Sequence, residues 1–196
     1  MPSGIQHDRI TMAILPIVVG ITYLITRNFS PRDSGELTLI LAGSYLFSGM
    51  MFGPDLDIHS LQYKRWGFLR IIWLPYRRLI KHRSLLSHGL AIGTCLRLAY
   101  LGFIVAIISI FTVAIAQLCF GFPWNWQVFV RERVYLSIRE YPHAVIACLL
   151  GLEIGAMSHS ISDWFSSWRK VRLKKKQSAK SKNTAKLSRN KYRKQK

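Results

Sequence analysis

Four long apolar runs limit this chain to few folds. Residues 10–26, 36–53, 98–118 and 143–158 each hold at most one acidic or basic residue. At ~1.5 Å of rise per residue, each as a helix is about as long as a bilayer core is thick, ~30 Å. Half of the 196 residues are hydrophobic, yet the formal charge is +19. Both values fit one chain when charge is segregated, and here it is. From Trp164 to Lys196 there are 14 Lys or Arg and no acid. The expected fold is all-α: a polytopic membrane helical bundle of about four transmembrane helices, with an interfacial loop and a basic tail.

The first run contains Pro16 and Gly20 and is read as a retained span, since no small-x-small cleavage site follows it. The second carries Gly43, Ser44, Ser48 and Gly49, residues small enough for close helix packing in lipid. Residues 89–120 are long for one span and short for two; one span, about Leu98 to Leu118, is preferred. Within residues 54–87, seven Lys or Arg are interleaved with Trp66, Phe68, Trp73 and Tyr76, and Phe68 to Tyr76, too short to span, is expected to lie in the interface. Residues 127–141 read as a surface helix. Residues 1–168 form the embedded domain, and 169–196 form a tail too polar to bury a core, expected to be disordered. Cys95, Cys119 and Cys148 are far apart and form no CxxC, so they read as small buried hydrophobes.

Gly53-Pro54-Asp55-Leu56-Asp57-Ile58-His59 ends the second run. Carboxylates at a membrane edge are costly unless water, a cation or a metal meets them. Counting four alternating spans from the N-terminus puts His7, Asp55, Asp57, His59, His82, His88, His159 and Asp163 on one side. Only His143 falls on the other. Lys and Arg agree: outside the spans, 22 lie on the first side and five on the second, which makes the first side cytoplasmic.

The spacing suits a metal. His159 and Asp163 are i and i+4 and share a helix face. Asp55 and Asp57 would point the same way from an extended segment after Pro54. Ser84 is a candidate N-cap, with His82 in the lead-in and His88 in the first turn. Imidazoles with carboxylates suit one or two divalent ions, Zn, Mn or Fe. Expected ligands are His7, Asp55, Asp57, His82, His88, His159 and Asp163, and Asp8 orients His7 or binds metal itself. Glu153 is read either as a structural partner, with Arg97 the candidate, or as a metal ligand.

Pro54-Asp55-Leu56-Asp57, His82-Arg83-Ser84-Leu85-Leu86-Ser87-His88 and Ser158-His159-Ser160-Ile161-Ser162-Asp163 resemble the membrane-bound metal-dependent hydrolase family, with its SOS-induced inner-membrane members. Gly4-Ile5-Gln6-His7-Asp8-Arg9-Ile10-Thr11 also resembles a related bacterial group, known largely from cyanobacteria and called metal-binding proteins. Ile58 stands where the first pattern has a histidine, with His59 one step later. The segment between His82 and His88 lacks that pattern's Gly and Thr.

The resemblance implies metal-dependent hydrolysis of an ester, most readily a phosphoester or lipid, at the cytoplasmic face of a bacterial inner membrane. Asp57, Arg83 and Asp163 are the candidate catalytic residues, with Arg83 a phosphate clamp. The alternative is a non-catalytic metal-binding anchor whose basic tail binds anionic lipid or nucleic acid. A metal transporter fits less well, because its ligands belong near mid-membrane.

Overall fold

The computed structural model describes residues 4–82 and 84–193, without the side chains of 174–176 and 178–193. Helices α1 (Gly4–Phe29) and α2 (Ser34–Met50) form an antiparallel hairpin. Short helices follow: α3 (Leu61–Arg65), α4 (Leu74–Leu79) and α5 (Leu85–His88), with 3-10 turns at Pro54–Asp57 and Gly67–Trp73. Helix α6 (Ile92–Phe120) leads through α7 (Trp126–Phe129), a π turn at Val130–Tyr135 and α8 (Leu136–Glu140) into α9 (Pro142–Arg193). Among the described residues there is no strand.

Four segments are long and apolar enough to cross a membrane: Gly4–Phe29, Ser34–Asp57, Ile92–Phe120 and Pro142–Leu173. Residues 92–120 form one unbroken helix, so the region that was long for one span and short for two holds a single membrane-length helix. Helix α9 continues through the basic segment that was expected to lack structure, as far as Arg193.

The bundle is tightest between α2 and α9, and the cause is small residues. A Cβ on Gly151 would meet Leu41 O at 2.4 Å, and one on Gly155 would meet Tyr45 O at 2.4 Å. Ser44 and Ser48 of α2 face these same two glycines. On the other side of α2, a Cβ on Gly49 would lie 2.6 Å from the Thr11 side chain of α1. Three of the four small residues expected at helix contacts are therefore at them; Gly43 faces open space. The α9 stripe of buried residues runs Ala147, Gly151, Gly155, His159 and Asp163, each four after the last, with Leu152 and Ala156 buried beside it. Close backbone approach at the two glycines thus carries His159 and Asp163 to the end of α2. On α1, His7, Thr11, Val18 and Thr22 are buried, and Tyr45 Oη donates to Thr11 O at 2.9 Å.

The loop after α2 has its own core. Trp73 and Tyr76 are fully buried with Phe52, Leu56, Tyr63 and Leu152. The stretch from Phe68 to Tyr76, with Trp73 in it, was expected at the membrane interface. Instead Trp73 and Tyr76 turn inward, while Phe68, 83% exposed, and Ile71, 66% exposed, face out. The apolar stretch of α6 is exposed along its length, as a lipid-facing helix would be.

Candidate metal centre

Four chain segments meet at the end of the bundle where α1 begins and α2 ends. Helix α1 starts at Gly4, six residues before its apolar run, so His7 lies on its first turns. Pro54, with φ fixed by its ring, opens a 3-10 turn rather than an extended segment. Gly53 is needed just before it, because a Cβ there would lie 2.4 Å from Gln62 Nε2. That amide nitrogen donates to Gly49 O at 2.8 Å and lies 3.5 Å from His159 Nδ1.

The 3-10 turn corrects one expectation. At three residues per turn, positions i and i+2 diverge, so Asp55 and Asp57 do not point the same way. Asp55 faces the histidines of α5 and α9. Asp57 turns beneath α5, where Oδ1 accepts from His82 Nδ1 at 2.9 Å and Oδ2 accepts from Ser87 Oγ. Ser87 Oγ in turn lies 3.0 Å from His88 Nδ1. Since a carboxylate only accepts, the hydrogens run from His82 directly, and from His88 through Ser87, to Asp57. Both imidazoles are thereby held with Nε2 as the free electron-pair donor. Asp57 belongs to neither candidate ligand group; it orients two members of one.

Those groups are His7, His159 and Asp163, all buried, and Asp55, His82 and His88, all half-buried. Within each, one ligand atom per residue lies within 4.8 Å of the others. In the first, His7 Nε2 is 3.2 Å from Asp163 Oδ1, and the His7 and His159 rings stack with centroids 3.8 Å apart. In the second, the His82 and His88 rings are 5.2 Å apart and nearly perpendicular. Asp55 joins the two: Oδ2 is 3.1 Å from His159 Nε2, and Oδ1 is 4.0 Å from His88 Nε2. Burial holds the His88 imidazole below the usual histidine range, so it is neutral at neutral pH, as a ligand must be.

A divalent ion fits these residues on a specific ground. His82 Nε2, His88 Nε2 and Asp55 Oδ1 are buried without a hydrogen-bond partner. Three converging lone-pair donors without a proton to share carry a steep desolvation cost that a cation removes.

Other expectations resolve differently. Asp8 neither orients His7 nor joins a ligand group. It takes a two-pronged ion pair from Arg65, whose Nη1 also donates to Met50 O at 2.8 Å. That pairing raises the Arg65 pKa further and ties the start of α1 to the loop. His59 is exposed beside Tyr63 and joins neither group. His143 lies at the far end, lining an apolar groove with Phe29 and Leu37. Glu153 and Arg97 form no ion pair: Glu153 Oε1 accepts from Ala91 N, and Arg97 donates to Ser87 O and Thr94 Oγ1. Arg83 lies outside the described residues. Ser87 and Gln62 were not singled out in the sequence. The hydroxyl next to His88 was the available signal for Ser87; Gln62 carried none.

A helical bundle with four membrane-length helices and two facing His/Asp groups at one end has the architecture of a helical metal-binding protein. The chain belongs to the family described as uncharacterized metal-binding protein (DUF2227), which it matches over residues 2–173. That description names metal binding and no reaction. An uncharacterized protein of Aquifex aeolicus is 38% identical over 58 residues, 29% of this chain and 40% of that relative. The match therefore spans less than half of the relative's length. No solved structure matches.

Proposed function

We propose that this metal-binding protein is a membrane-embedded hydrolase that uses two divalent ions, Zn, Mn or Fe, to cleave a phosphoester at the cytoplasmic face. The observation that carries this reading is Asp55. One carboxylate has an oxygen toward each of two separate His/Asp groups, so Asp55 would serve as a ligand to both if each held an ion.

When bound, such ions supply Lewis acidity and make water more acidic at neutral pH. The chain's own residues do the rest. Asp57 and Ser87 fix the ring orientation of His82 and His88, so the ligand set is pre-formed rather than assembled on binding. His7 and Asp163 form the buried side of the site. An open cavity of about 360 Å³, lined by His88, Ser160, Asp163, Trp164 and Ser167, gives a substrate access to both groups. Arg83, adjacent to His82 in sequence, is the guanidinium proposed to hold a phosphate oxygen. The excess of Lys and Arg at this end of the bundle supports a cytoplasmic orientation, with anionic lipid headgroups as the neighbours of the basic segment.

The test is hydrolysis of bis(p-nitrophenyl) phosphate by detergent-purified protein loaded with Zn or Mn. Turnover that chelation abolishes, and that Asp55→Ala lowers by two orders of magnitude or more, on the scale of lost metal catalysis, supports the reading. Metal-loaded protein without turnover on this or other phosphoesters would leave a non-catalytic metal-binding anchor.

A further inference from the structure

A second cavity lies against the metal centre, between the segment Ser87–Leu90 and α9. It encloses about 130 Å³, the volume of about four waters at ~30 Å³ each. His88 forms its wall toward the metal groups, and Arg97 and Glu153 line it as well. Its lining includes Leu90, 64% exposed, and Ile161, 55% exposed, together with Arg97, only 1% exposed.

The two charged residues are incompletely used. Arg97 Nη1 and Nη2 each donate at 3.0 Å, to Ser87 O and Thr94 Oγ1, and the guanidinium also interacts with the Tyr76 hydroxyl; the buried Nε alone is left without a hydrogen-bond partner. Glu153 Oε1 accepts from Ala91 N at 2.9 Å, but the buried Oε2 has no partner. Ala91 itself has φ 58°, the left-handed region that a residue with a Cβ seldom occupies, so Glu153 anchors a strained turn in the cavity's lining segment. A buried donor and a buried acceptor are thus left beside one small space.

The chemistry of that space is selective. A guanidinium and a carboxylate together leave no net charge, so a second anion gains little there. Hydrocarbon would leave both polar groups unmet. A hydroxyl, which both donates and accepts, satisfies the pair.

We infer that this cavity receives the alcohol portion of the substrate, a glycerol-sized polyol carried on the phosphate. Arg97 Nε–H donates to a hydroxyl oxygen, and Glu153 Oε2 accepts a hydroxyl hydrogen. Glu153 and Arg97 are specificity residues in this account and hold no metal. The inference rests on the phosphoester reading and names its substrate class: a polyol phosphate, either free or as a lipid headgroup.

The test is calorimetric titration of detergent-purified, metal-loaded protein with four probes: inorganic phosphate, n-propyl phosphate, glycerol 3-phosphate and dihexanoyl phosphatidylglycerol. Glycerol 3-phosphate should bind at least about tenfold more tightly than n-propyl phosphate, because a site built for hydroxyls rejects the analogue lacking them. Glu153→Gln keeps an oxygen for Ala91 N but replaces the free acceptor, and should erase that preference with metal content unchanged. Leu90→Trp, which enlarges an exposed apolar side chain of the lining and leaves the two charged groups in place, should do the same. Tighter binding of the lipid than of glycerol 3-phosphate supports the headgroup form, and the reverse supports the free form. Equal binding of propyl and glycerol phosphates, or a preference that survives both substitutions, overturns the polyol inference and leaves the phosphoester reading intact. If metal-loaded protein binds none of the four, the phosphoester reading fails, and the inference with it.

Discussion

Asp57 Oδ1 accepts from His82 Nδ1 at 2.9 Å, and through this bond a residue outside both candidate ligand groups sets the direction of a candidate ligand. The same carboxylate reaches His88 through Ser87. A pair of acidic residues two apart in sequence has thus divided its work. Asp55 stands between the groups, and Asp57 supports one of them from behind.

Asp57→Asn should therefore weaken metal binding without abolishing it. The amide cannot accept from both His82 and Ser87, so one ring loses its fixed orientation. A loss of about 10–100-fold in affinity is expected at the Asp55/His82/His88 group, the usual effect of removing such support. Metal titration monitored by calorimetry measures it, and the His7/His159/Asp163 group should keep its affinity. An unchanged affinity at both groups would show that Asp57 orients nothing.

The two groups should also release metal at different rates. The side chains of His7, His159 and Asp163 are 5%, 2% and 7% exposed, whereas those of His82, His88 and Asp55 are 26%, 15% and 14% exposed. Dialysis against a chelator, followed by elemental analysis over time, should show one ion lost well before the other. In His82→Ala the early phase should disappear and the late phase remain. A single phase would contradict this ordering.

Gly155→Ala should destabilise the bundle by about 1–3 kcal/mol, the usual cost of overpacking. Its new Cβ would sit 2.4 Å from Tyr45 O, which is backbone and cannot swing aside. Because His159 lies one turn further on the same stripe, metal affinity should fall too. Gly43→Ala, with nothing within 4 Å of its Cβ, is the control and should leave both unchanged. Thermal unfolding in detergent, with and without added metal, reads both effects.

Much of this architecture was legible in the sequence because two periodicities carry it. Long uncharged runs gave the four membrane-length helices, and counting them brought histidines from α1, α5 and α9 to the end where Asp55 lies. The His159/Asp163 spacing fixed their shared face. The role of Asp57 was not legible, because it depends on whether the residues after Pro54 extend or coil, and Pro54 permits both. The glycines at 151 and 155 were not singled out, because their meaning depends on α2 lying against them. Asp8 was misassigned for a similar reason: its partner, Arg65, is 57 residues away and reaches it only because the loop folds back over α1. Local spacing cannot reveal such a pair.

The account turns on Asp55 joining two ions. Elemental analysis of purified wild type beside Asp55→Ala and His159→Ala tests this most directly. Two divalent ions per chain are predicted in the wild type. His159→Ala should keep the ion of the half-buried group, and Asp55→Ala should weaken retention of both. A wild type that carries no ion, or an Asp55→Ala protein that keeps the full wild-type content, would contradict the account.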